Sequence, residues 1–278
     1  MGKSRRSHRS SNVDWDGAGD DIESLCNAAG YQLTINEEGD YEIYDSEYDT
    51  KLVITSTFQM DIDYVDEVYD SIYETNSNSL KDILKAYNEA PNFLKEANQI
   101  ILFDDKSNHK GPSGVGDWLG YHASYLNSHG IIINEQSLHS KTNPLYMVLY
   151  HEMSHGLDFS TSDDYGRKYS LSRDIVKPLV DKYGSATAYS KNNYGKEFSD
   201  EQTRYMEDLA EIIGITASYK YDKNFKVIDV DGKTVKAEKW VGNHKELYDW
   251  ANNFMNSHPE NNIDDTFDFP LSFLKNNY

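Results

Sequence analysis

The run Tyr150-His151-Glu152-Met153-Ser154-His155-Gly156-Leu157-Asp158 constrains this chain more than any other. It contains H-E-x-x-H. On a helix, His151 and His155 are four residues apart and project from one face. Two imidazoles on adjacent turns can close on a single tetrahedral Zn²⁺. Glu152 is rotated by about 100° from His151, which puts its carboxylate beside such a metal, where it can accept a proton from an activated water. A chain that uses this motif must bury a helix deeply enough to shape a cleft, yet leave its histidine face open to a third ligand.

The flanking residues support a helix. Leu145, Val148, Leu149 and Met153 continue the apolar pattern, and residues 145–155 contain neither Pro nor Gly. Leu149, Met153 and Leu157 recur every four residues on the side away from the histidines, a stripe suited to a core. Pro144 is expected in the first turn, Asn143 as N-cap, and Gly156 as a residue that loosens the helix end just after the second histidine.

Composition narrows the chemistry. Cys26 is the only cysteine, so neither an intrachain disulfide nor a cysteine zinc site can form, and any zinc must use His and carboxylate. With 27 basic and 47 acidic residues the net charge is −20. Such a surface argues against nucleic acid and anionic membrane as partners and suits a basic peptide, or solubility alone. No apolar run approaches the length of a membrane span. Residues 1–11 are basic and Ser-rich without an apolar segment behind them, so no secretory signal peptide is expected. Arg6 stands where the myristoylation pattern needs Ser or Thr. Synthesis in a cytoplasm follows as the expectation, with export by another route or incorporation into a particle left open. Nothing in the sequence sets an oligomeric state.

Along the chain, residues 1–21 pass from basic to acidic around Gly17 and Gly19 and are expected to be a flexible tail. Residues 22–75 are expected to form a small α/β N-terminal lobe. It would hold a hairpin over 31–44, a strand at 52–55 and a helix over 61–75 with a solvated acidic face. Residues 76–278 are expected to form the main domain, helix-rich with a small mixed sheet, so that the fold class is α+β. In it, Pro91 divides a helical stretch over 79–98. Residues 100–103 and 130–134 are strands. The second is either an ordinary core strand or one placed to pair with an extended substrate. Helices follow at 171–183, at 199–218 with Ser199-Asp200 as cap, at 244–255 and at 266–274. A loop covers 185–198, and a hairpin over 225–240 turns at Asp231-Gly232.

Two histidines leave a metal one protein ligand short. Asp158 is a poor ligand, because it lies seven residues, about 10 Å of helical rise, from His151 and has a short side chain. It is expected only to support the ligands from behind. A better source is Glu207-Asp208-Leu209-Ala210-Glu211 on the later helix, where Glu207 and Glu211 share a face. One can bind the metal while the other accepts the free N–H of a ligand histidine. Their spacing leaves the order open.

His151-Glu152-x-x-His155-x-x-Asp158 followed by Glu207-x-x-Ala210-Glu211 resembles the catalytic domain of anthrax lethal factor, and the clostridial Pro-Pro endopeptidases look similar. That family consists of zinc endopeptidases of the gluzincin type. The resemblance extends over roughly residues 78–278, with its specific part in the two helices. It implies a zincin-like metallopeptidase fold, a peptide or protein substrate, and Zn²⁺ held by His151, His155 and Glu207. It also implies Glu211 behind a ligand and Glu152 as general base. The family places a tyrosine in a Y-G turn shortly before the zinc-binding Glu, as an oxyanion donor. Tyr194-Gly195 resembles that turn but stands thirteen residues before Glu207, and Tyr189 is the alternative. A rival expectation is a catalytically idle zincin-fold module, for binding or structure, within a toxin or viral particle. An idle module has no need of a general base, so the presence of Glu152 favours the enzyme.

Overall fold

Alternating strands and apolar-faced helices build the fold in the computed structural model, which describes residues 13–56, 58, 79–104, 120–123, 130–134, 144–162, 166, 169–192 and 201–257. The expected helix at 61–75, the helix at 266–274, Asn143 and the Ser199-Asp200 cap lie outside the described residues.

The chain opens with α1 (Ile22–Ala29), a helix the sequence pattern did not predict. Asp21 caps it, its Oδ1 accepting the Ser24 N–H at 2.9 Å, and Gly30 ends it in the left-handed conformation at φ 70°. Residues 13–21 depart from the expected flexible tail. Trp15 is buried in the core, and Asp20 pairs with Lys81 at 3.2 Å. Trp15, with Val13 and Ala18 packed against the same core, supplies the apolar area that holds an otherwise polar segment down.

Strands β1 (Gln32–Ile35), β2 (Tyr41–Asp45) and β3 (Thr50–Ile54) form an antiparallel meander. Helices α2 (Ser79–Asn88) and α3 (Asn92–Ala97) follow, divided at Pro91. Strands β4 (Ile100–Asp104), β5 (Gly120–Ala123) and β6 (Gly130–Asn134) complete a six-stranded mixed sheet in the order β1-β2-β3-β4-β6-β5. The described chain is thus α+β. Ile43, Leu52, Ile101 and Ile131 stand opposite one another across four strands and are fully buried. Burying a side chain of this size contributes about 1.5–3 kcal/mol. The expected boundary at residue 75 falls between β3 and β4, which pair in parallel, so one sheet runs across it. Strand β6 lies between β4 and β5, with both its edges taken. It is a core strand and cannot receive a substrate; β5 is the edge on that side.

Helix α4 (Leu145–Ser160) carries the H-E-x-x-H run. It packs on β5 and β6, on α2 and α3, and most extensively on α7 (Glu201–Tyr221). All its residues except Tyr146 and Phe159 are buried. The stripe Leu149, Met153, Leu157 faces the core as the pattern predicts, and the histidine face is covered too, by α7. Pro144 is the N-cap rather than a first-turn residue: its ψ of 156° is extended, and its carbonyl accepts the Met147 N–H at 2.8 Å.

Gly156 does not loosen the helix end, since α4 continues to Ser160. It makes room for the buried amide of Asn98. A Cβ at Gly156 would meet Asn98 Oδ1 at 2.0 Å and Cγ at 2.8 Å. Asn98 has no freedom to retreat, because its Nδ2 donates to the carbonyls of Leu94 at 2.7 Å and Met153 at 2.9 Å. Gly156→Ala is expected to destabilise the protein by at least about 2 kcal/mol, since overpacking and stranded carbonyls outweigh a helix-propensity gain of about 1 kcal/mol. The urea midpoint, compared at constant m, measures it; an unchanged midpoint would refute this account of the glycine.

Beyond α4 the expected helix at 171–183 divides. Leu171–Val176 is a π-helical turn, and α5 (Lys177–Tyr183) follows. Pro178 cannot donate to the carbonyl of Asp174, and the chain enters α5 through wider bonds such as Lys177 N–H to Ser172 C=O. The expected loop at 185–198 contains a short helix, α6 (Ala188–Asn192). Strands β7 (Lys226–Ile228) and β8 (Thr234–Lys236) make the hairpin, with Gly232 at φ 77° in its turn. The hairpin is shorter than expected, because Trp240 lies in α8 (Ala237–Asn243), where its ring is fully buried. Helix α9 (Lys245–Ser257) follows. No helix of the described residues is long and apolar enough to cross a membrane.

Candidate metal centre

Helices α4 and α7 bring the candidate ligands together. Going along α4 from His155 through His151 to Met147, the partners on α7 run from Glu207 through Glu211 to Ser218, so the two helices are antiparallel. Glu207 and Glu211 lie one turn apart and meet one face of α4. The Nε2 atoms of His151 and His155 are 3.2 Å apart. Oε2 of Glu207 lies 3.4 Å from the first and 3.5 Å from the second. Three donors at the corners of a near-equilateral triangle suit one small cation. A tetrahedron with metal–ligand bonds of about 2.0–2.1 Å has edges of about 3.3–3.4 Å. His151, His155 and Glu207 form the one His/carboxylate group able to hold a metal ion among the described residues.

The remaining atoms fit the same use. Nδ1 of His151 lies 2.9 Å from Oε1 of Glu211, so the ring donates its proton there and turns the Nε2 lone pair to the triangle. Oε2 of Glu207 and Oε2 of Glu152 are buried and have no hydrogen-bond partner among the described residues. Buried carboxylate oxygens in that condition are costly, and a cation and a water are what would satisfy them. Burial by itself lowers the affinity of His151 and His155 for a proton, but the adjoining carboxylates of Glu207 and, for His151, Glu211 outweigh it and raise both pKa values. Burial would likewise raise Glu207, yet the two histidines hold it well below the usual carboxylate range. Glu152, with burial dominant, is raised.

Asp158 lies behind the histidines at the end of α4. Its Oδ1 accepts the Ser172 N–H at 2.9 Å, tying the end of α4 to the π-helical turn. No hydrogen bond from Asp158 to either histidine occurs among the described residues. The side chain is fully buried, and that burial pushes its pKa up to about 6. Asp158 therefore anchors the π-helical turn next to the site through Oδ1, while its buried Oδ2 has no hydrogen-bond partner among the described residues and its charge interacts with His155.

Of the two tyrosines considered, Tyr194 lies outside the described residues. Tyr189, on α6, has its ring 5.9 Å from that of His151 at an interplanar angle of 66° and is half exposed. Tyr205 faces away: its hydroxyl accepts from Lys177 and donates to Asp181, each at 2.9 Å. Asp208 is a site residue that the sequence pattern hid. Its fully buried Oδ1 accepts from Ala186 N–H at 2.8 Å and Ser190 Oγ–H at 2.6 Å, and Trp240 Nε1–H donates to the Ala186 carbonyl at 2.8 Å. These bonds pin α6, and with it Tyr189, to the helix that carries Glu207. The one sequence signal was an acidic residue beside Leu209 on the apolar side of that helix.

Comparison with known proteins finds no matching family, no matching curated protein and no matching solved structure.

Proposed function

We propose that this protein is a zinc-dependent endopeptidase of the gluzincin type with a zincin-like fold. The observation that carries this reading is the triangle of His151 Nε2, His155 Nε2 and Glu207 Oε2, with sides of 3.2, 3.4 and 3.5 Å and with Glu152 buried beside it. His151, His155 and Glu207 would hold the zinc, which when bound would supply Lewis acidity to a water, with a pKa of about 7, and to a peptide carbonyl. Glu152 takes the proton of the attacking water and hands it to the leaving amine. Its buried Oε2, which has no hydrogen-bond partner among the described residues, is free to accept that proton. Glu211 keeps His151 in the tautomer that leaves Nε2 free. Tyr189 is the described tyrosine beside the centre and is assigned to donate its hydroxyl to the oxyanion.

The substrate is a peptide in extended form. Strand β5 is the sheet edge against which α4 packs, and among the described residues nothing pairs with its outer side. A peptide added there would hydrogen-bond along β5 beside the H-E-x-x-H helix. The net charge of −20 favours basic sequences.

Purified protein is expected to hold about one zinc per chain and to cleave members of a degenerate peptide library. A chelator should remove metal and cleavage together, and added zinc should restore both. Zinc-loaded protein that cleaves nothing in the library would sink the enzyme reading and leave the idle module. Protein that takes up no zinc would sink the metal centre itself.

A further inference from the structure

We propose that Gly214 is a positioning residue of the metal centre, one that lets α7 lie directly on the backbone of His151; this rests on the zinc reading above. Gly214 follows Glu207 and Glu211 on the same face of α7 at helical spacing. A Cβ built on it would stand 3.2 Å from the backbone N of His151, 3.3 Å from its Cα and 3.5 Å from its Cβ. The neighbour is the main chain of a ligand residue in the middle of α4, so no side chain can swing aside to relieve the contact. α4 in turn is buried on nearly all sides. The separation between the helices would have to grow by a few tenths of an ångström.

That separation sets two distances at once. Glu211 reaches Nδ1 of His151 at 2.9 Å, and Glu207 reaches Nε2 of the same ring at 3.4 Å. Both glutamates sit within two turns of Gly214, so moving α7 away from His151 draws both carboxylates back from one imidazole. Glycine is a poor helix former inside a helix, and α7 runs unbroken through this position. Its neighbours Ile213 and Ile215 are fully buried, as ordinary helix packing would have it. The absent side chain at 214 therefore serves the close approach to His151 and not any break in the helix.

The test compares Gly214→Ala with Gly242→Ala. Gly242 lies in α8, and a Cβ there would meet nothing within 4 Å, so that change alters helix propensity alone. Zinc affinity is measured by competition with a chromophoric chelator, and folding by far-UV circular dichroism and melting of the metal-free forms. Gly214→Ala is expected to stay folded and to bind zinc about 10-fold more weakly, like the loss of a residue that orients a ligand, with Gly242→Ala unchanged. The visible absorption of the Co²⁺-substituted Gly214→Ala variant should shift relative to wild type, a change that a purely structural role would not produce. Unaltered zinc affinity in folded Gly214→Ala overturns the proposal. So does failure of Gly214→Ala to fold while Gly242→Ala folds, since the contact is then packing alone. Wild-type protein that binds no zinc removes the metal-centre reading itself, a result separable from both.

Discussion

Glu207→Ala is expected to leave the protein without zinc, whereas Glu211→Ala is expected to keep the metal with about 10–100-fold weaker affinity. The two residues share one helix face, and their carboxylates meet different nitrogens. Glu207 Oε2 closes the triangle with both Nε2 atoms, while Glu211 Oε1 takes the Nδ1 proton of His151. Removing Glu207 leaves two protein ligands, too few for a catalytic zinc site. Removing Glu211 frees the His151 ring to rotate or change tautomer without deleting a donor from the triangle, so added zinc should restore activity. Helix α7 should survive both changes, because Ala is a good helix former and Leu209, Ile212 and Ile213 keep their places in the core. Metal content after dialysis, with a zinc titration of activity, reads both variants. Loss of zinc from Glu211→Ala with retention in Glu207→Ala would reverse the assignment.

Glu152→Gln is expected to keep zinc and fold while lowering cleavage by about 10²–10⁴-fold, the usual contribution of a general base. The amide matches the carboxylate in shape and fits the same buried site. It cannot take a proton from water, and its NH₂ group places a donor where the mechanism needs an acceptor. Glu152 is 6% exposed and is no member of the donor triangle, so its replacement should not disturb metal uptake. Zinc content and turnover are measured on the same preparation. Equal turnover in wild type and Glu152→Gln would exclude Glu152 as the base.

The features legible in the sequence are those set by local periodicity. Helical spacing put His151, Glu152 and His155 on adjacent turns and marked Leu149, Met153 and Leu157 as the core side; the structure has this helix with that stripe fully buried. Alternation marked the hairpin of β1 and β2, and Pro91 marked the division of α2 from α3. Helix α1 was missed because its apolar pattern is short. Its signals were the Asp21 cap and Gly30, two residues just as common in turns.

Sequence alone therefore determined which helix carries the histidines, that Glu207 and Glu211 share a face of a later helix, and that the single cysteine cannot build a cysteine metal site. Each of these follows from residue type or from the 3.6-residue repeat, both local properties. Tertiary structure decided the rest. Spacing cannot say which of Glu207 and Glu211 meets Nε2, because that depends on the offset between two helices far apart in the chain. It cannot say that β6 is interior and β5 the edge, because strand order is a pairing between distant segments. Nor can it separate a glycine that ends a helix from one that admits a neighbour. Gly156 and Gly214 both sit inside helices, and only the packed positions of Asn98 and the His151 backbone give them a purpose. Asp158 turned to Ser172 for the same reason: a short carboxylate bonds to whatever backbone the fold brings within its reach.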